Sequence, residues 1–322
     1  MAASLTSHLR DGQQHLPEIA PLRALSRSVF AVLGMNPGLF SLTGTNTYLV
    51  GTGRSRILID TGEGRPEYIS NLERAMASLG VTALQEIVVT HWHHDHLGGV
   101  PSVVRRFGNV PVRKFMPPEP EGVFGGEGAV DPNTVWPASR FAPLVDGEVL
   151  RTEGATLRVL HVPGHADDHV ALVHVEEKSM FTGDNVLGVG TTFFRDLGAY
   201  MSSLARMRAT ATSEGITVLH PAHGPPIPNA PEKLAEYIAH RQERVDQVRN
   251  ALVDAPGEGL TCVCVAKKLY VGIPETLIRP AASNTLLALR KLESDGVVVF
   301  SGRDGRTDGP FGQRWRLTVS KL

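Results

Sequence analysis

From Val29 to Leu219 the chain alternates short apolar runs with amphipathic stretches. Thr47-Tyr48-Leu49-Val50 and Arg56-Ile57-Leu58-Ile59-Asp60 flank the turn Gly51-Thr52-Gly53, a pattern that predicts a hairpin. Tyr68, Leu72, Ala75, Met76 and Leu79 recur at helical spacing, and Gly80 supplies a stop. Glu86-Ile87-Val88-Val89 reads as a buried strand. Residues 116–137 are dense in Pro and Gly and read as a long loop bordering a pocket. The strand signal returns at residues 157–162, 170–175 and 179–182, and again at 216–219. Before that last run, Leu197, Tyr200, Met201, Leu204 and Met207 mark one face of a helix. Strands alternating with helices predict an α/β body.

The pattern changes after Pro225-Pro226. Leu234, Tyr237, Ile238, Val245, Val248 and Leu252 predict a long amphipathic helix. Helices follow at about 261–270 and 280–295, then strands at 297–300 and 313–319 around a polar loop. Two helices and a β-hairpin in this order resemble a winged helix. The expected organisation is a tail over 1–27, a first domain over 28–229 and a winged-helix-like domain over 230–322.

Composition adds bounds. The 322 residues are 42% hydrophobic and 20% charged, ordinary for a globular chain. A net charge of -1 exerts no general pull on nucleic acid or anionic membrane. The charge is uneven, since residues 260–322 carry 10 Lys and Arg against 5 Asp and Glu. No apolar run is long enough to span a bilayer. Cys262 and Cys264 are too close in sequence for an easy mutual disulfide and read as two buried thiols in a reducing, cytoplasmic setting. The first ten residues lack acidic groups, which leaves a mitochondrial leader open. A single basic residue and Asp11 favour a plain tail.

The chemistry lies in Thr90-His91-Trp92-His93-His94-Asp95-His96, directly after the buried strand. Histidine is the commonest metal ligand, and aspartate adds a hard anionic oxygen. His165, Asp184 and His223 also follow predicted strands, each beside Gly or Pro. Strand ends converging on one sheet edge can build one cleft. Seven donors exceed a four-coordinate zinc and point to two metals, an arrangement suited to hydrolysis. A structural zinc would close four ligands and leave the later His and Asp unexplained. His94 would point away from its neighbours in an extended backbone. His169 reads either as support for the site or as an exposed turn residue. His161 and His174 read as ordinary strand residues, and His220 need not be a ligand.

These residues resemble the metallo-β-lactamase superfamily. The resemblance implies an αβ/βα sandwich, two β-sheets between helices, followed here by the winged-helix-like piece. It implies two zinc ions: His91, His93 and His165 on the first, Asp95, His96 and His223 on the second, with Asp184 bridging. Asp95 and Asp184 would be the catalytic carboxylates, Asp95 also steering the nucleophile's proton. Asp60 would orient a ligand histidine by accepting its second N–H.

Asn36-Pro37-Gly38, Gly44 through Val50, Asp60 through Gly64, Pro163 through His169, Gly183 through Gly188 and Tyr237 through Arg241 resemble the beta-lactamase-like protein 2 group. That group implies one of two hydrolyses. One is release of an aromatic polyketide from its acyl carrier protein, with the carrier or its polyketide synthase as partner. The other is endonucleolytic cleavage of single-stranded RNA. Leu16 through Ile19, His94 within the cluster and Gly183-Asp184-Asn185 are closer to the thioesterases. Gly190-Thr191-Thr192 is closer to the RNA-cleaving members. Arg195 departs from an acidic residue common in both. Phe193-Phe194 would line an acyl pocket, stack bases or pack in the core. Outside hydrolysis stand an iron redox enzyme and a nucleic-acid-binding module resting on Arg303 and Arg306. Asp304 and Asp308 cancel the charge of that wing, which favours a piece that walls the cleft.

Overall fold

The computed structural model describes residues 16–118, 132–255, 257–303, 305 and 309–318. The tail over 1–15, most of the Pro- and Gly-rich loop (119–131) and the wing residues Asp304, Arg306 and Asp308 lie outside the described residues. The chain forms two compact units. One comprises Leu16–Phe194 with Ser202–Leu234. The other comprises Arg195–Met201 with the chain from Ala235 onward.

In the first unit, seven strands pair in chain order: β1 (Leu22–Ala24), β2 (Val29–Leu33), β3 (Asn46–Val50), β4 (Ser55–Ile59), β5 (Ala83–Val89), β6 (Val112–Phe115) and β7 (Ala142–Leu144). The predicted hairpin is the antiparallel pair β3–β4. From β4 to β7 the strands run parallel. A second sheet comprises β8 (Val149–Thr152), β9 (Ala155–His161), β10 (Val170–His174), β11 (Ser179–Gly183), β12 (Val218–Pro221) and β13 (Ile227–Pro228), in the order β13-β12-β11-β10-β9-β8.

Alternation along the strands decides which core each side chain enters. Ile57 and Ile59 face the second sheet and pack with Leu157, Val159, Leu172 and Phe181. Leu58, between them, faces the other way, with Tyr68 and Leu72 of the helix Pro66–Ser78 and Val100 and Val103 of the helix Val100–Phe107. Each such fully buried aliphatic side chain contributes roughly 1.5–3 kcal/mol. Tyr68 is wholly buried because its hydroxyl meets Thr47 Oγ1 at 3.0 Å. The helix Leu197–Glu214 lies against the second sheet, where Ser203 Oγ donates to the Pro163 carbonyl at 2.7 Å and Arg206 to that of His161 at 2.8 Å. Helices thus flank both sheets, as in the expected sandwich.

In the second unit the end of the helix Ala230–Ala251 leads to β14 (Leu260–Thr261), the helices Cys262–Leu269 and Glu275–Ser294, then β15 (Val298–Arg303) and β16 (Gln313–Leu317). The strands pair in the order β14-β16-β15. This helix–strand–helix–helix–strand–strand succession resembles a winged helix. Thr261 caps its helix by accepting the Cys264 N–H at 3.2 Å. The helix expected to start at Pro280 begins at Glu275, with Pro280 inside it. Apolar residues on both sides of the proline, Ile278 and Ala281 among them, are buried and hold the turn together. Cys262 is buried but Cys264 is exposed, so only one of the two thiols is packed as expected. No helix among the described residues is long and apolar enough to cross a membrane.

Candidate metal centre

Five strand ends of the first unit meet at one edge. β4 delivers Asp60, β5 delivers Thr90 and His91, β9 leads to His165, β11 ends on Gly183 before Asp184, and β12 leads to His223. The turn after His93 is a short helix, His94–Leu97. It swings Asp95 and His96 toward the cleft and leaves His94 exposed. His94 therefore falls outside both donor groups through helical geometry, not through the extended backbone expected for it. Close packing fixes this turn: a Cβ on Gly99 would stand 2.0 Å from the Thr61 carbonyl oxygen.

The seven expected donors form two groups. His91, His93, His165 and Asp184 make one, and Asp95, His96 and His223 the other. In the first, His93 Nδ1 lies 2.8 Å from His91 Nε2 and 2.9 Å from His165 Nε2. Asp184 turns Oδ2 toward this group, 3.5 Å from His165 Nε2. It turns Oδ1 toward the second, 3.4 Å from His96 Nε2 and 3.3 Å from His223 Nε2. Asp95 Oδ2 stands 3.4 Å from His96 Nε2 and 3.3 Å from His223 Nε2. One carboxylate thus serves both groups.

The outward ring nitrogens are held as well. Asp60 Oδ2 accepts from His96 Nδ1 at 2.8 Å. The carbonyls of Phe193 and Gly44 accept from His165 Nδ1 at 2.7 Å and from His223 Nδ1 at 3.2 Å. Thr90 donates its N–H and hydroxyl to Asp60, and its oxygen lies 3.1 Å from His91 Nδ1. With Nδ1 carrying the proton, His91 and His165 turn their Nε2 lone pairs inward. Asp60 takes a left-handed backbone at φ 57 to present both oxygens, a conformation aspartate tolerates better than most residues.

Electrostatics divide the groups. Burial, with neighbouring imidazoles adding, pulls His91 well below its usual range, and burial with His165 pulls His93 down to about 3. These rings are neutral. Burial also disfavours charge on His223, but Asp184 and Asp95 outweigh it and raise this group to about 10. His96 is raised in the same way by Asp95, Asp184 and Asp60, again against burial.

The donor set fits a metal cofactor. Three neutral imidazole nitrogens converge on one point, an arrangement that is repulsive without a cation between them. His96 Nε2 and Asp184 Oδ1 are buried and have no hydrogen-bond partner among the described residues. Donors about 2.1 Å from a tetrahedral ion stand roughly 3.4 Å apart, close to the separations here.

Two supports escaped the sequence reading, and a third, His169, was only one of its two alternatives. Thr45 donates its hydroxyl to Asp95 Oδ2 at 2.9 Å. Phe193 supplies a carbonyl, which no side-chain pattern can announce. His169, an exposed turn residue in one expectation, is wholly buried, and its Nε2 accepts the Asp184 N–H at 3.0 Å. Its place four residues after His165 was the available signal. Nor is Phe193 a core residue: it is 66% exposed and meets Phe40 edge-on, the centroids 6.2 Å apart. Both rings border a pocket of about 470 Å³ that reaches His93, Asp95, His165 and Asp184. Leu39, Leu42, Trp92 and Leu187 complete its apolar wall, and no lysine or arginine among the described residues lines it.

The chain is similar to known proteins. The chain is 38% identical over 287 residues to the beta-lactamase-like protein 2 homolog of Caenorhabditis elegans, covering 88% of this chain and 90% of that one. It is 37% identical over 309 residues to the atrochrysone carboxyl ACP thioesterase nsrC of Aspergillus novofumigatus, covering 92% and 88% of the two chains. The crystal structure of a metallo-beta-lactamase family protein from Thermus thermophilus aligns with a TM-score of 0.64 at 26% identity, over 92% of this chain and all (100%) of that one. The family model of the metallo-beta-lactamase superfamily matches residues 41–302, a span that holds every donor named above. With its paired sheets and His/Asp groups at one sheet edge, the chain belongs to the metallo-beta-lactamase superfamily.

Proposed function

We propose that this protein is a binuclear zinc hydrolase that releases an aromatic polyketide from its acyl carrier protein by cleaving the thioester. The observation that carries this reading is the apolar pocket, with no lysine or arginine among its described lining residues, that opens onto both donor groups. A flat acyl group is matched by Phe40, Phe193, Trp92 and the leucines. A polyanion would need cations that the described residues of this wall do not supply. The thioesterase name carried by three of the relatives supports the same choice.

His91, His93 and His165 would hold one zinc and Asp95, His96 and His223 the other, with Asp184 between them. Bound there, zinc supplies Lewis acidity toward the carbonyl and lowers the pKa of water toward neutrality. The chain's own part is arrangement and proton handling. Asp95, held by the Thr45 hydroxyl, borders the pocket and would steer the proton of the attacking water. Asp184 sets the spacing of the two groups. The apolar wall orients the acyl chain and limits competing water. A thiolate needs little help in leaving, because thiols ionise near pH 8.5.

A second reading is cleavage of single-stranded RNA, favoured by the exposed Phe193 ring, on which a base could stack. The test is the zinc-loaded protein assayed in parallel on an aryl-acyl carrier-protein thioester and on single-stranded RNA. Thioester turnover with intact RNA supports the proposal; RNA cleavage without thioester turnover overturns it. In the same assay Asp184→Ala should lose at least about a hundredfold in kcat/KM, since both donor groups lose a ligand. An Asp184→Ala protein with full zinc content and full activity would refute the shared mechanism.

A further inference from the structure

Neither donor group includes His169, yet its ring lies among them, with centroids 5.0 Å from His91 and 5.8 Å from His165. Its Nε2 accepts the backbone N–H of Asp184 at 3.0 Å. A backbone N–H can only donate, so this nitrogen's lone pair is engaged and cannot also face a cation. The contact is tight. Gly183 has φ 49, and a Cβ there would stand 2.5 Å from His169 Nε2. The Gly183–Asp184 peptide is therefore seated directly against the imidazole.

His169 is itself pinned from both sides. Its carbonyl accepts the Val162 N–H at 2.9 Å, and the next residue, Val170, donates to the Thr90 carbonyl at 2.9 Å. Thr90 is the residue that holds Asp60. His169 thus ties the end of β11, through its imidazole, to the ends of β9 and β5, through its own and the adjoining backbone. Asp184 has a short side chain, and its two oxygens must stay within 3.3–3.5 Å of His223, His96 and His165 at once. A small shift of its backbone would spoil one side or the other.

We infer that His169 is a positioning residue that fixes the Asp184 carboxylate between the two donor groups by accepting the Asp184 N–H. The inference rests on the binuclear reading of this site. Its test compares His169→Leu, which removes the acceptor at similar volume, with His169→Gln, whose amide oxygen can reach the same N–H. Zinc is titrated against a competing chelator, and the cobalt-substituted protein is followed by visible absorption. His169→Leu should lose about 10–100-fold in affinity for at least one equivalent and alter the cobalt spectrum, while His169→Gln stays within about threefold of the parent. Parent-like affinity and spectrum in His169→Leu would overturn the inference. So would a loss in His169→Gln as large as in His169→Leu, because ring packing would then be the cause. If His169→Leu does not fold, His169→Asn replaces it, since its shorter amide cannot reach the Asp184 N–H. A parent that binds a single equivalent overturns the binuclear reading instead, and the same comparison on that equivalent still tests His169.

Discussion

Asp60 accepts from the Thr90 N–H, the Thr90 hydroxyl and His96 Nδ1, and it does so from a left-handed backbone. Such a residue would act on metal affinity through its neighbours. Asp60→Ala should weaken binding at the Asp95, His96 and His223 group by about 10–100-fold while the first group keeps its ion. Chelator competition measures both, and equal weakening of the two groups would contradict this. His220 illustrates the other fate of a buried histidine. Burial pulls it down to about 4, and its ring packs with Tyr48 and Phe181 away from both donor groups. Its folded value lies below the unfolded one near 6.5, so the unfolded chain binds the extra proton first. The neutral ring's full contribution is present above pH 6.5 and is lost as the pH falls toward 4, up to about 3 kcal/mol. Urea unfolding at pH 7 and pH 5 should show a smaller acid loss for His220→Phe than for the parent.

At the scale of elements, the site depends on how tightly the turn after β5 packs. Gly98 and Gly99 leave no room for a Cβ: one on Gly98 would stand 2.5 Å from the His94 carbonyl oxygen, and one on Gly99 2.0 Å from that of Thr61. Both obstacles are backbone and cannot rotate aside. Gly99→Ala should cost roughly 3 kcal/mol or more and displace Asp95 and His96 from the cleft. A thermal melt and zinc stoichiometry read the two effects, and a variant matching the parent in both would contradict the packing argument. Element positions were largely legible in the sequence. The β3–β4 hairpin, the helix at Pro66–Ser78 and the strand ends at His91, Asp184 and His223 all follow from periodicity and turn residues. The helical turn at His94–Leu97 was not, because four residues carry too little periodicity to read.

Across the first unit, a metal would join the ends of strands from both sheets, residues far apart in the chain. Ions that bind only the folded arrangement stabilise it by mass action, by about 4 kcal/mol at a thousandfold excess over Kd. Chelation should therefore lower the melting temperature of the protein, and restored zinc should return it; an unchanged melt would argue against metals bridging the sheets. The sequence by itself determined the donor types and the strand ends that bear them, because apolar alternation and turn residues are local signals, whereas the sandwich of two sheets was only what the family resemblance implied. Tertiary structure alone decided the rest. Phe193 and Gly44 hold ligand rings through carbonyl oxygens that every residue possesses. Thr45 reaches Asp95, and His169 supports Asp184, through contacts that long-range folding creates. The pocket wall joins Leu39 and Phe40 to Phe193. Local pattern names which side chains can bind a metal, but only the closing of distant segments fixes their distances, and distance decides what they can hold.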